Sequence, residues 1–435
     1  MTVTRPIRIL FLTAGTGDGF YCENCLRDLD LVRGLRDAGH DVVLVPMYLP
    51  VGADNADLVR SPLFFGGINV FLQQNLGLFR HSPRWLDQVL DSPRLLRWLS
   101  RWTGMTSARQ LGQTTVSMLQ GPAGRQAKEL QRLLGWLRTV QKGFDLVCLS
   151  NALLVGLAEP IRRLGLPVVC LLQDEDGFLD ALPRPYSDKA WELIRSAAGY
   201  VRCFVAVSHY YAGLMRGYLA IDSSKVCVIP IGVNHKDYVP AQGPSDTPVI
   251  GYLSRLSWFG GLDLLVETFL CLRRVPGLGL LQLRLCGGQE RGDKAFVRRM
   301  IRRCRAAGLG DAVSFWPWQE LRQRQAFFDG LTVLAVPETR PVAAARYALE
   351  ALACGVPVVG PDHGVLPELQ SHTGGLVLYK DHTVQSLGAA LEYVLRDRQG
   401  AFELGKSGRE GLLRHYTMDL TVSRFVDLCM EVVRS

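Results

Sequence analysis

Residues Arg340–Leu378, RPVAAARYALEALACGVPVVGPDHGVLPELQSHTGGLVL, decide how the rest of the chain is read. Ala343 to Ala353 is a run of helix formers. It ends at Gly355, a residue suited to the position after a helix because it tolerates positive φ. Pro357 lies in a short apolar strand, Val356 to Val359; a loop, Gly360 to Gly364, then leads to a second short helix near Leu366 to Leu369. The pattern predicts a helix feeding a buried strand, closed by a Gly- and Pro-punctuated loop. Glu350 stands out in it. A 3.6-residue period places it one turn after Arg346 and one turn before Cys354, among Ala351, Leu352 and Ala353. An ionised carboxylate there is costly unless something binds it.

LEALACGVPVV, the glycine-bearing loop, PEL and TGGLV together resemble the donor-site signature of retaining glycosyltransferase family 4, the group 1 glycosyltransferases. The chain is identified as a divergent bacterial member. In that family a Glu-x7-Glu pair opens the segment; its first glutamate contacts the donor sugar and its second the nucleotide ribose. The resemblance gives Glu350 the ribose role, while Val342 stands where the first glutamate is expected and Ala345 where a glycine is usual. Leu349, inside the signature, and Glu338 and Arg340, just upstream, are counted with the donor-binding residues. The resemblance covers almost the whole chain. It implies an α/β architecture called GT-B: two Rossmann-like domains facing each other across a cleft, with a helical insertion in the first.

Composition agrees with a folded two-domain chain. The 435 residues are 48% hydrophobic and include 44 glycines. No apolar run reaches the ~18 residues that span a bilayer. The start, MTVTRPIRILFLTAG, enters a strand directly, without a basic n-region and h-region. A cytoplasmic location is expected, with peripheral contact with the inner face of the membrane left open. Eleven cysteines, mostly in apolar segments, suit a reducing compartment. Cys22 and Cys25 form one C-x-x-C without the second ligand pair that zinc requires. The net charge of +8 fits an anionic ligand or a membrane surface.

In chain order, Ile7 to Thr13 reads as a buried parallel strand. The loop with Gly15, Gly17 and Gly19 and a helix, Asn24 to Ala38, follow it. Such a loop brings backbone N–H groups close to a negatively charged ligand. It has neither a Walker A nor a full dinucleotide spacing, which disfavours NAD. Asp41 to Met47 completes the first βαβ unit. About residues 61–143 read as a helical insertion, with an apolar stripe at Trp85, Leu86, Val89, Leu95, Leu96 and Leu99 and helices around Gln110 to Leu119 and Arg125 to Gln141. Strands at Leu146 to Leu149, Val168 to Leu172, Cys203 to Val207 and Val226 to Ile229 resume the alternation. Parallel sheets place their sites at the strands' carboxyl ends. Gln173, Asp174, Glu175, Asp176, Ser208 and Asn234 all fall there. Domain 1 therefore spans 1–237 and is the acceptor domain by resemblance; 238–248, YVPAQGPSDTP, is the linker.

The second domain, 249–417, opens with a strand, Ile250 to Leu253, that runs into Ser254 and Arg255. The family has Gly-Arg, four residues and Lys-Gly here, with the Arg and Lys on the donor's diphosphate. Arg255 and Gly261 match, Ser254 stands for the first glycine and Gly260 for the lysine. Strand Leu281 to Cys286 ends at Gly287, and the helix Lys294 to Ala306 is heavily basic. Residues 418–435 form a last helix that, in the family, crosses back onto the first domain.

Holding a diphosphate leaving group takes fixed cations and helix N-termini. The resemblance implies no metal and no cofactor, the nucleotide sugar being a substrate. Gln173 stands where the family has a histidine on the donor sugar, and an amide cannot act as a general base. Gln173, Glu175 and Asp176 are the catalytic-site candidates. Two readings follow. One is an active retaining enzyme taking a nucleotide sugar and a glycan, lipid or small-molecule acceptor, with no role for nucleic acid. The other is a catalytically impaired paralogue acting as a binding or regulatory partner.

Overall fold

The computed structural model describes residues 5–14, 23–47, 108–245, 247–289, 292–316 and 321–434. They belong to two compact units, Met1–Pro230 with Thr421–Ser435, and Ile231–Leu420. The glycine loop with Gly15, Gly17 and Gly19, the Trp85–Leu99 stripe and Cys22 lie outside the described residues.

In the first unit, β1 (Arg8–Thr13), α1 (Glu23–Asp37) and β2 (Asp41–Pro46) make the first crossover. Then come α2 (Ala108–Leu119), α3 (Ala127–Val140), β3 (Leu146–Leu149), α4 (Ala158–Arg162), β4 (Val168–Leu171), α5 (Glu175–Asp180), α6 (Tyr186–Ala197), β5 (Cys203–Ala206), α7 (His209–Leu219) and β6 (Val226–Val228). The strands pair in parallel in the order β2-β1-β3-β4-β5-β6. Every residue of β3, β4 and β5 is buried, which is why these strands read as unbroken apolar runs rather than alternating ones. Cys148, Cys170 and Cys203 serve there as small hydrophobes.

The second unit contains β7 (Val249–Leu253), α8 (Leu262–Leu272), β8 (Gln282–Cys286), α9 (Lys294–Ala306), β9 (Val313–Trp316), α10 (Leu321–Phe328) and β10 (Val333–Ala335). It continues with α11 (Arg346–Ala353), β11 (Val358–Pro361), α12 (Leu366–Thr373), β12 (Leu376–Tyr379), α13 (Val384–Arg396) and α14 (Arg398–His415). Its parallel order is β12-β11-β10-β7-β8-β9. Both units are thus Rossmann-like α/β sheets, as expected. The last helix, α15 (Met418–Arg434), counts with the first unit from Thr421 onward.

Three local departures from the sequence reading have physical causes. α11 begins at Arg346 rather than Ala343, because Val365 N donates to Val342 O (3.1 Å) and holds that segment out of the helix. β11 begins at Val358, because Val356 N is spent on Ala351 O (2.9 Å) at the helix end and Pro357 has no N–H. The 238–248 segment is anchored on its own unit: Val239 exchanges two hydrogen bonds with the Gln325 amide (3.0 and 3.1 Å), and Ala241 N donates to Cys354 O (3.0 Å).

α14 packs through a glycine face. Gly405, Gly408 and Gly411 recur every third residue, so they share one side of the helix. A Cβ on Gly405 would lie 1.9 Å from Gly355 O. In α13, a Cβ on Gly388 would meet only Thr268 Cγ2, at 3.6 Å. Gly405→Ala should therefore destabilise the chain by about 1–3 kcal/mol through overpacking. Gly388→Ala should stabilise it by up to about 1 kcal/mol through helix propensity. Opposite shifts in a denaturant midpoint check the pair, and shifts of the same sign would refute it.

Candidate donor and acceptor rims

In open parallel sheets, ligands sit beyond the carboxyl ends where the strand order reverses. In the second unit that point is β7 beside β10. The loops leaving both strands, with the one after β8, are stitched into one rim. Ser254 Oγ donates to Glu338 Oε1 (2.9 Å), and Thr339 Oγ1 donates to Phe259 O (3.0 Å). Leu256 N donates to Gly288 O (2.9 Å). The loops approach so closely that a Cβ on Gly261 would lie 1.8 Å from Pro337 O, and one on Gly287 1.7 Å from Ser254 O. Ser254, Arg255, Gly287, Glu338 and Arg340 therefore come together on one edge. Arg255 is exposed and its Nε donates to Asp293 Oδ2 (2.9 Å). Arg340 is exposed, with its guanidinium carbon 5.0 Å over the Phe259 ring.

Two signature residues lie deeper. Leu349 is 1% exposed and packs in the core of α11, so its side chain offers the rim no surface. Glu350 is also 1% exposed, and its Oε1 accepts from Arg324 Nη1 (2.5 Å) and Arg346 Nε (2.8 Å). The buried carboxylate thus already has cationic partners. Arg346 is visible in the sequence as the residue one turn earlier. Arg324 comes from α10 and is a tertiary partner.

In the first unit the order reverses between β1 and β3. Thr13 ends β1, Ser150 follows β3 and Gln173 follows β4. Gln173 Nε2 donates to Asp28 Oδ1 (2.7 Å) and Ser150 O (2.5 Å), and Thr13 Oγ1 donates to Asp28 Oδ2 (2.9 Å). Both neighbours of Nε2 are acceptors, which fixes the amide's orientation. Gln173 is 4% exposed, and its Oε1 has no hydrogen-bond partner. Burial pushes the Asp28 carboxyl up to about 6, against the charge of Arg27 and the bonds from Gln173 and Thr13.

Glu175 is buried, and its two oxygens are engaged within its own unit. Oε1 accepts from Ala152 N (2.8 Å); Oε2 accepts from Gln173 N (2.7 Å) and Tyr211 Oη (2.8 Å). Burial raises its carboxyl above the ordinary range. Asp176 is half-buried, with Oδ1 2.9 Å from the same Tyr211 hydroxyl. Both carboxylates stand in the first turn of α5, where a helix N-terminus favours negative charge. Ser208 caps α7 by accepting from Tyr211 N (3.1 Å).

The sequence reading missed Asp28 and Arg324. Each carried a signal, since it sits on an apolar stripe: Cys25, Asp28, Leu29 and Val32 in α1, and Arg324, Phe327, Phe328 and Leu331 from α10 into the following turn. A charge on such a stripe must be paired or hydrogen-bonded.

Two family descriptions match the chain, "Glycosyltransferase Family 4" over residues 29–237 and "Glycosyl transferases group 1" over residues 236–411. A D-inositol 3-phosphate glycosyltransferase of Segniliparus rotundus is 28% identical over 174 residues, 38% of this chain and 37% of that protein. The matched stretch thus spans well under two thirds of that relative. Among solved structures, sucrose-phosphate synthase from Thermosynechococcus elongatus superposes with a TM-score of 0.69 at 17% identity, covering 98% of this chain and 99% of that one. Anabaena Alr3699/HepE, in complex with UDP-glucose, also gives 0.69 at 16% identity, covering 98% and 100%. These likenesses show the GT-B fold of two Rossmann-like domains.

Two outcomes test the buried charges. Asp28 holds its proton more tightly folded (about 6) than unfolded (3.8). The folded chain therefore gains stability as pH falls from about 6 toward 3.8, by at most about 3 kcal/mol, and that gain is lost as pH rises again through 6. Asp28→Asn should flatten this part of the stability–pH curve, measured by denaturant unfolding; an unchanged slope would count against it. Glu350→Ala leaves two buried guanidiniums without their carboxylate and should cost about 3–5 kcal/mol in the same assay.

Proposed function

The chain belongs to the group 1 glycosyltransferases of family 4, and from that premise we propose that it moves a sugar, with retention, from a nucleoside-diphosphate sugar to an acceptor hydroxyl. The observation that carries this reading is the rim at the β7/β10 reversal, where Ser254 and Glu338 tie together two loops bearing Arg255 and Arg340. Guanidiniums at that edge suit a diphosphate that must leave with its charge neutralised. The N-terminus of α8, entered through Gly261, adds a partial positive charge to the same rim. The UDP-glucose bound by the Anabaena neighbour supports a nucleotide-sugar donor here.

In this reading no metal and no cofactor takes part. The acceptor hydroxyl attacks on the face the diphosphate leaves and passes its proton to the departing phosphate oxygen as the sugar–phosphate bond breaks, so retention needs no protein nucleophile. Gln173 moves no proton; its Nε2 is held by Asp28 and Ser150, and its Oε1 is left to accept from a substrate hydroxyl. Glu175 positions the loop after β4, and half-buried Asp176 is the carboxylate offered to sugar or acceptor. Glu350 has Oε1 committed to its arginines, so its ribose contact falls to Oε2.

The acceptor is a glycan, lipid or small molecule. Among the described residues no helix is long and apolar enough to cross a membrane. The chain's net +8 supports peripheral contact with an anionic membrane face from a cytoplasmic location. Glu350 held by two arginines, and Gly260 in place of a lysine, favour the second reading, a binding partner without turnover.

Calorimetry and thermal shift against UDP, GDP, ADP and their sugars separate the two. One nucleotide should bind saturably and tenfold or more weakly to Arg255→Ala, the loss of one charge-assisted bond. Sugar transfer to water or acceptor should follow with the matching donor; binding without turnover selects the paralogue. No nucleotide binding at millimolar concentration overturns the donor reading.

A further inference from the structure

α9 carries a charge for which the donor rim has no use. Lys294, Arg298, Arg302 and Arg305 follow one another at four, four and three residues, so a 3.6-residue period lines them up as one stripe. All four are exposed, as is Arg299 beside them. The opposite face, Val297, Met300 and Cys304, is buried in the core of the unit. The helix contains no carboxylate. Arg303 pairs with Glu267 of α8, but Arg298, Arg299, Arg302 and Arg305 have no ion-pair partner among the described residues. Like charges three and four residues apart weaken a helix. An anion laid along the stripe would offset that repulsion.

What borders the stripe separates the anions it could meet. Phe296, half-buried on one flank, has the Arg299 guanidinium carbon 5.4 Å from its ring centroid. Ile301, also half-buried, falls on the other flank by helical angle. Phe315, in the edge strand β9, is 44% exposed, and its register with Leu285 turns it to the same face of the sheet as α9. Arginines bordered by apolar side chains match a surface with charged heads above hydrocarbon. A nucleic-acid strand asks for bare ring faces on which to stack, and the Phe296 ring already carries Arg299. A second copy of this chain, meeting the same patch about a two-fold axis, would set arginine against arginine.

We infer that the outer face of α9 is the surface through which this chain rests on an anionic lipid membrane. The inference deepens the peripheral contact proposed above, which rested on net charge alone, by assigning it to one face of the second unit. Because the apolar side of α9 is spent on the core, the contact is chiefly electrostatic and weakens with salt. α9 begins just after Asp293, which accepts from Arg255 at the donor rim (2.9 Å). A bilayer lying along α9 is therefore within about 20 Å, one helix length, of that rim.

The test uses the full chain and co-sedimentation with phosphatidylcholine vesicles, with and without phosphatidylglycerol. Wild type should bind only the vesicles containing phosphatidylglycerol, and should release them at high salt. Arg298→Gln, Arg302→Gln and Arg305→Gln combined should lower the partition coefficient about 10- to 100-fold, and Arg302→Gln alone several-fold. The same three positions changed to lysine should bind as wild type does, because the charge is kept. Arg162→Gln, Arg216→Gln and Arg424→Gln combined remove equal charge from the first unit and should leave binding nearly unchanged. All these positions are exposed, and the variants should unfold at the wild-type temperature. Vesicle binding that survives the α9 exchange, or that falls equally in the first-unit control, overturns this inference and leaves the peripheral contact standing. A wild type that binds no anionic vesicle removes both, and binding of a single-stranded RNA in place of vesicles reassigns the face to nucleic acid.

Discussion

A carboxylate shut away from water governs the second unit. Glu350 lies in a helix whose every residue is buried, and it survives there because guanidiniums from two different helices close on one of its oxygens. Removing charge from water costs several kcal/mol per ion, and only good geometry compensates it. That demand fixes α10 against α11. Fixing α11 in turn sets where its N-terminus begins, and so where the 336–345 segment must run. The rim with Glu338, Thr339 and Arg340 follows from this buried pairing below it.

The first unit uses the same device with a different chemistry. Asp28 is buried beside Arg27, but its direct hydrogen bonds come from neutral donors, Thr13 and the Gln173 amide. Neutral donors satisfy a carboxylate less completely than guanidiniums do, and burial accordingly pushes this carboxyl toward neutrality. A histidine at 173 would have introduced a second titrating group against it. A glutamine at 173 carries a charge that does not change, so Asp28 is the group of this pair that titrates. Glu175 then completes the loop by gathering two backbone N–H groups and the Tyr211 hydroxyl.

The fold was legible because its strands are short, apolar and separated by helices, a pattern that admits few alternatives to a parallel sheet. β3 and α9 fall where their composition places them. The stretch between Asp176 and Cys203 was less legible: α5 and α6 were not anticipated, since Pro183 and Pro185 interrupt the periodicity that announces a helix. Of the site, the sequence marked the rim residues and Glu350 through local motifs. What it withheld were partners distant in the chain: Arg324 for Glu350, Asp28 for Gln173 and Phe259 for Arg340. Leu349 shows the converse, a residue inside a functional motif that serves only the core.

The altered signature positions make sense together rather than one by one. Losing a glutamate at 342 and a lysine at 260 removes one negative and one positive charge from a single rim, leaving its balance unchanged. Neither position is idle. The Val342 carbonyl accepts from Val365 N, and a Cβ on Gly364 would lie 2.7 Å from Val342 N, so this backbone is clamped by the loop after β11. Gly260 is clamped by Tyr252 and Ser257. Both loops are thus ordered by contacts within their own unit, through the Val342 backbone in one and the Tyr252 and Ser257 hydroxyls in the other. A rim built in that way needs its remaining cations to arrive on side chains with fixed supports, and Arg255 on Asp293 and Arg340 on Phe259 satisfy that condition.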